Sequence, residues 1–156
     1  MIRRLISIVA PLAAGTAAAA EQPRQPVEHF GPPQIPGQPP LPFSSAVRAG
    51  DVLYLSGQIG IRADGRLPEG IEAQTRQAME NIGAVLRSAG RGWDDVFHCT
   101  AMLDNMSDWP AFNRVYVTYF TPGRLPARSA LGADGLALGA LVEVECQAWA
   151  GARQAR

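Results

Sequence analysis

Two charged side chains near the end of the chain have the chemistry needed to hold a small carboxylate and to activate water. Arg128, in the Leu-Pro-Ala-Arg-Ser stretch at 125–129, carries a planar guanidinium that can bind a carboxylate through two parallel hydrogen bonds. Glu143 would act as a general base if partial burial brings its pKa near the working pH. Glu145 is a rival for that role, and an ion pair between Arg128 and either glutamate is the structural alternative.

Further polar side chains are predicted to share one face of a sheet with this pair. Strand alternation collects on that face Ser56, Gln58, His98, Glu143, Glu145 and Gln147, together with Arg128, by its alternation with Ala127 and Ser129. A lone strand histidine is more often packed or solvated than functional, so His98 is not assigned a role. A polar sheet face of this kind predicts a ligand site between subunits.

The elements that would position these residues follow the order hairpin, helix, strand, helix, strands. Apolar periodicity and turn residues predict a hairpin over 45–59, helices over 71–89 and from Ser107 or Asp108 to 121, and strands over 96–103, 127–131 and 141–149. This order predicts an α+β fold in which two helices cover one face of a mixed sheet. The other face is expected to pack against copies of itself in a closed oligomer.

The two cysteines, Cys99 and Cys146, fall on the helix-covered face and are interpreted as buried, small apolar residues. An oxidising compartment would permit a disulfide if their strands are neighbours in the right register, and this alternative stays open. Their spacing matches no zinc motif, and the chain has no phosphate-binding glycine loop and no nucleophile elbow.

The first twenty residues have the layout of a signal peptide, with Arg3 and Arg4 before an uncharged run and small residues up to Ala20. Cleavage near Ala20 predicts export to the periplasm or the medium, without stable membrane association afterwards, by a Sec or twin-arginine route. The alternative is an uncleaved membrane anchor, although this stretch is rich in alanine and a span needs about 20 firmly apolar residues. The exported chain would carry 12 Arg against 14 acidic residues, a formal charge of −2, and the whole chain has no Lys. This charge argues against nucleic-acid partners.

The organisation predicted for the rest of the chain has three parts. Residues 21–42, with eight prolines between Pro23 and Pro42, are expected to be an extended linker. Residues 43–150 form the folded domain, and residues 151–156 are a short C-terminal tail.

Several of these stretches together resemble the RidA/YjgF family of reactive-intermediate deaminases, also called the endoribonuclease L-PSP family. The resemblance covers about residues 42–150 and is carried by the Ser-Gly-Gln-Ile end of a strand, a helix at 74–90, Asn113 ahead of Tyr116, Pro-Ala-Arg-Ser at 126–129 and Glu-Val-Glu at 143–145. Pro-Ala-Arg-Ser is its most specific element.

The resemblance implies a chorismate-mutase-like homotrimer with sites at the subunit interfaces. Such a protein would hydrolyse 2-aminoacrylate and related enamines or imines to 2-keto acids and ammonia, without a metal or organic cofactor. In that scheme Arg128 holds the substrate carboxylate and Glu143 orients water, so the two must face a common cleft between protomers. The other positions expected to line the pocket are Phe43, Ser56, Asn113, Ser129 and Ala130.

Two pocket positions motivate a second function. Phe43 stands where many active relatives have a tyrosine, and Ala130 stands where they often have a cysteine, so hydrogen-bonding capacity is lost at both. The alternative is therefore an exported trimer that binds small carboxylates, or protects client chains, without turnover.

Overall fold

A mixed sheet and two helices make up the part of the chain that the computed structural model describes, which is residues 26–31, 39 and 41–152. The predicted signal peptide, most of the linker and the end of the tail lie outside these residues. Within them, no helix is both long and apolar enough to cross a bilayer. The elements are β1 (Glu28–Phe30), β2 (Ala46–Ala49), β3 (Val52–Leu55), β4 (Gln58–Ile59), α1 (Ile71–Ser88), β5 (Val96–Leu103), α2 (Trp109–Tyr116), β6 (Ala127–Gly132) and β7 (Val142–Trp149).

The sheet has the strand order β1-β2-β3-β7-β5-β6, and β4 also pairs with β7. Only the β5–β6 pair among these is parallel, so the sheet is mixed. Both helices pack on the same side, where buried residues of α1 and α2 join those of the central strands in one core. The predicted α+β fold with two helices on one face is confirmed, and Gly90 ends α1 in the left-handed conformation (φ 68°).

Alternation along β7 separates the two faces of the sheet cleanly. The inward row is almost fully buried and consists of Val142, Val144, Cys146 and Ala148. Cys99 of β5 lies directly opposite Cys146 and is joined to it by a disulfide, so both cysteines are buried as predicted and are also bonded. The outward face keeps large side chains exposed, among them Tyr54 (47%), Leu131 (47%) and Trp149 (43%).

The sheet begins earlier than the predicted domain boundary. Glu28–Phe30, expected to belong to the linker, forms β1 and pairs with β2. The pairing satisfies backbone groups that would otherwise be exposed at the edge of β2. An ion pair between Glu28 and Arg48 and the packing of Phe30 on the core hold this strand in place.

An irregularity at Ser56 and Gly57 shifts the register of the second hairpin strand. Tyr54 pairs with Gln147, whereas Gln58 pairs with Val144, so one extra residue is accommodated between them. Gln58 therefore takes the parity of buried Val144 and does not join the outward polar face. The predicted face of Gln58 is wrong because one extra residue inverts the alternation of everything after it.

Candidate functional site

Glu143 lies at the start of β7 on the face that the helices leave uncovered. Its partners on the neighbouring strands are Met102 of β5 and Ile59 of β4, so apolar side chains flank it on both sides. Glu143 is half-buried, and this burial, aided by the negative charge of Glu145 on the same face, raises its pKa above the ordinary value. No Arg, Lys or His in the described residues forms an ion pair with it. The site thus contains an acid suited to accept a proton.

Gly57 makes room for the Glu143 carboxylate. A Cβ atom added to Gly57 would lie 2.9 Å from Glu143 Cδ and closer still to Oε1, distances that real contacts do not show. The absence of a side chain at this position therefore allows the observed rotamer of Glu143. The same glycine is the sequence signal for the irregularity, since a glycine inside a strand often marks a bulge or a close approach.

Ser56 ties the loop that carries Phe43 to this end of the sheet. Its amide donates to the Ser45 carbonyl (3.0 Å) and its hydroxyl donates to the Ser44 carbonyl (2.7 Å). Phe43, next to Ser44, leaves 45% of its surface exposed. The predicted residues Phe43, Ser56 and Glu143 thus belong to neighbouring segments. We call these three residues the acid half-site.

Arg128 lies on the opposite face of the sheet. In the parallel β5–β6 pair, Arg128 is the partner of Cys99, whose side chain points into the helix-covered core. Glu143 has the opposite parity to Cys146, the partner of Cys99. The prediction that Arg128 shares the uncovered face with Glu143 is therefore wrong, and one chain alone does not bring the two groups together.

Aromatic side chains of α2 explain the inward orientation of Arg128. Trp109, Phe112 and Tyr116, three and four residues apart, form a row on one side of the helix, which we call the aromatic row. The guanidinium carbon lies 4.5 Å from the ring centres of Trp109 and Tyr116 and 5.5 Å from that of Phe112. The aromatic rings thus take the place of water on one side of the guanidinium and attract its positive charge. The edge position of β6 leaves the rest of Arg128 partly exposed.

The remaining predicted residues divide between the two faces. Asn113 is half-buried on α2, one turn after Trp109, and Ala130 lies two residues after Arg128 on the same face. We call Arg128, Asn113 and Ala130 the arginine half-site. Ser129 points the other way, opposite Thr100, and is exposed on the face that carries Glu143.

Sequence reasoning missed the buried amide that holds the start of β7. Gln74 of α1, only 5% exposed, donates to the Pro68 carbonyl (3.1 Å) and accepts from the Leu141 amide (2.8 Å). Leu141 is two residues before Glu143, so this pair of hydrogen bonds fixes the strand end that carries the acid. A glutamine within the apolar spacing of α1 is the available signal, because a buried amide needs partners.

The mixed sheet with two helices on one face defines an α+β protein of chorismate-mutase-like architecture, and this fold carries the two half-sites. The family profile described as Endoribonuclease L-PSP matches residues 36–150. The chain belongs to this family, the RidA/YjgF reactive-intermediate deaminases, which confirms the resemblance.

Individual relatives agree with this assignment. Mouse (Mus musculus) 2-iminobutanoate/2-iminopropanoate deaminase is 39% identical over 106 residues, which are 67% of this chain and 78% of the mouse protein. The structure of YyfA from Yersinia pestis, a Rid-family protein of unknown function, matches with a TM-score of 0.71 at 37% identity, covering 80% of this chain and 99% of YyfA. Escherichia coli TdcF, solved with bound serine, has a TM-score of 0.68 at 26% identity, covering 76% of this chain and 92% of TdcF.

Proposed function

We propose that this protein hydrolyses small 2-imino acids and their enamine tautomers to 2-keto acids and ammonia. The observation that carries the proposal is Glu143, a half-buried acid with a raised pKa and no cation beside it in the described structure, on the uncovered sheet face. A relative 39% identical is named for this reaction, and another was solved with a bound amino acid.

The chemistry needs an anchored carboxylate and one proton acceptor. Arg128 binds the substrate carboxylate through two hydrogen bonds. Glu143 takes a proton from water as the oxygen attacks the imine carbon, and it passes that proton to the nitrogen, which gives the neutral carbinolamine. Glu143 then accepts the proton of the carbinolamine hydroxyl and passes it to the nitrogen as the C–N bond breaks, so ammonia leaves and the carbonyl of the 2-keto acid forms. Holding both reactants in place supplies much of the acceleration.

The proposed site is built by two copies of the chain. The arginine half-site and the acid half-site face opposite ways in one chain, so the Arg128 side of one protomer would meet the Glu143 side of the next. The exposed Tyr54, Leu131 and Trp149 on the uncovered face supply apolar surface for such a contact. The family resemblance favours a closed ring of three, in which every protomer contributes to two sites.

The test is imine hydrolysis by the purified protein. An amino-acid oxidase generates the imine in the presence of semicarbazide, and a hydrolase lowers the initial rate of semicarbazone formation, because the 2-keto acid condenses with semicarbazide more slowly than the imine does. We expect the wild-type protein to compete with the trap and Arg128→Ala to lose this effect. A wild-type protein that never outpaces spontaneous hydrolysis, yet is stabilised by pyruvate, would overturn the enzyme proposal in favour of a carboxylate-binding protein.

We also propose that the protein is exported after cleavage near Ala20. The disulfide between Cys99 and Cys146 supports this, since disulfides persist in oxidising compartments. N-terminal sequencing of the protein recovered from outside the cytoplasm should begin at Glu21. Recovery of the intact N-terminus from the cytoplasm alone would contradict export.

A further inference from the structure

The aromatic row of α2 has no part in the chemistry proposed above, although it contacts the group that would bind the substrate. We propose that Trp109 and Tyr116 are positioning residues that hold the Arg128 guanidinium ready for a carboxylate. The inference rests on the proposed role of Arg128 in substrate binding. Both ring centres lie 4.5 Å from the guanidinium carbon.

Ring contacts fix an arginine without occupying its hydrogen-bond donors. A free arginine side chain loses much rotamer freedom when a ligand binds it, which weakens binding. A neighbouring carboxylate would also restrain Arg128, but it would compete with the substrate for the same N–H groups. In the described residues no Asp or Glu oxygen lies within 4.0 Å of the Arg128 guanidinium. The aromatic row therefore restrains Arg128 and leaves its N–H groups available.

The aromatic row is itself packed against the core. Phe112, at its centre, is fully buried, and its ring lies 5.7 Å from Trp109 and 5.4 Å from Tyr116. Tyr116 is also buried, and the loss of solvent raises its pKa to about 12, although the charge of Arg128 opposes this shift. Tyr116 thus stays a neutral phenol at any pH used for assay, and its contact with Arg128 does not change with pH.

Substitutions at Trp109 test the proposal. We expect Trp109→Ala to raise KM for the imine by about two- to thirty-fold, the range that a cation–π contact represents. The value of kcat should change by less than about threefold, because Glu143 and the water are untouched. Trp109→Phe keeps a ring and should recover most of the loss. Trp93→Phe is the matched control, since Trp93 packs on Tyr119 and Phe120 and not on Arg128.

Two further measurements separate positioning from a merely structural role. In a ¹H–¹⁵N NMR correlation spectrum, the Nε–H signal of Arg128 can be assigned by its loss in Arg128→Lys. This signal should shift in Trp109→Ala, because the ring current of Trp109 is removed. In a double-mutant cycle, Trp109→Ala should have no added effect on pyruvate affinity once Arg128 is Ala. Additive losses would mean that Trp109 acts through stability alone, which would overturn the inference.

The outcomes distinguish this inference from the proposed function. If the wild type hydrolyses the imine and both Trp109 variants keep its KM, the positioning role is wrong and the enzyme proposal stands. If the wild type lacks turnover but Trp109 and Arg128 remain coupled in pyruvate binding, the enzyme proposal fails and the positioning role stands. Neither turnover nor pyruvate binding by the wild type would overturn both. Should Trp109→Ala fail to fold, Trp109→Leu replaces it, because leucine keeps apolar bulk at this position without a ring; a raised KM in Trp109→Leu with recovery in Trp109→Phe supports the positioning role, and a wild-type KM in both overturns it.

Discussion

Replacing Gly57 by alanine should remove activity while leaving the fold intact. The new Cβ would lie 2.9 Å from Glu143 Cδ and 3.1 Å from Cγ, with Oε1 nearer still. Ordinary contact begins near 3.4 Å, so the carboxylate must move by an ångström or more. The displaced group ends a flexible side chain, which can rotate aside. A misplacement of about 1 Å in a catalytic group costs about 10²-fold in rate.

The semicarbazone assay measures this loss, and two other glycines serve as controls. Gly92 has open space around its Cβ position, so Gly92→Ala should keep full activity. At Gly60 the added atom would lie 2.7 Å from the backbone Cα of Gln74, so Gly60→Ala should lower the thermal midpoint. Gly57→Ala should match the wild type in thermal midpoint and lose kcat. Full activity in Gly57→Ala would refute the role given to the Glu143 carboxylate.

Three further predictions follow from individual contacts. Because burial raises the pKa of Glu143 in the folded state, kcat should fall on acidification with a midpoint above that of an ordinary glutamate. For the same reason Glu143→Gln should stabilise the fold at pH 7, and this gain should vanish as the pH falls below the folded-state pKa. A Glu143→Gln protein no more stable than wild type at pH 7 would contradict this. Reducing the Cys99–Cys146 bond should cost about 2–4 kcal/mol in guanidinium unfolding, and an unchanged midpoint would show that the bond is absent in solution. Gln74→Leu leaves two backbone groups unpaired and should lower the free energy of unfolding by about 2–6 kcal/mol. Gln77→Leu, which loses one half-buried hydrogen bond to a side chain, should lower it by less than about 1.5 kcal/mol, and equal losses would contradict the role given to Gln74.

The sequence predicts the elements well where polar and apolar residues alternate strongly. In β7 every second residue from Val142 is apolar and buried, so the face of Glu143 follows directly. The helix at α1 is equally clear, because its apolar spacing ends at Gly90, which has the expected left-handed conformation. In both cases the burial of one face decides which side chains point into the core.

The face of Arg128 could not be predicted in the same way. Its strand reads Ala-Arg-Ser-Ala-Leu-Gly, which places one alanine and one polar residue on each side, so hydrophobicity does not clearly distinguish the two sides of β6. The side chain points inward because α2 offers the rings of Trp109 and Tyr116 at that place, which is a tertiary contact. The face of Gln58 was missed for a local reason, the extra residue at Ser56 and Gly57, which the glycine could have indicated.

The central claim, that two copies of the chain build one site, is tested by mixing two inactive variants. Arg128→Ala keeps the acid half-site and Glu143→Gln keeps the arginine half-site. Equal amounts dissociated and reassembled together should form mixed oligomers, detected by native mass spectrometry, in which about one quarter of the sites combine both intact halves. Recovery of about a quarter of wild-type activity is the predicted result, and mixed oligomers as inactive as either parent would contradict the claim.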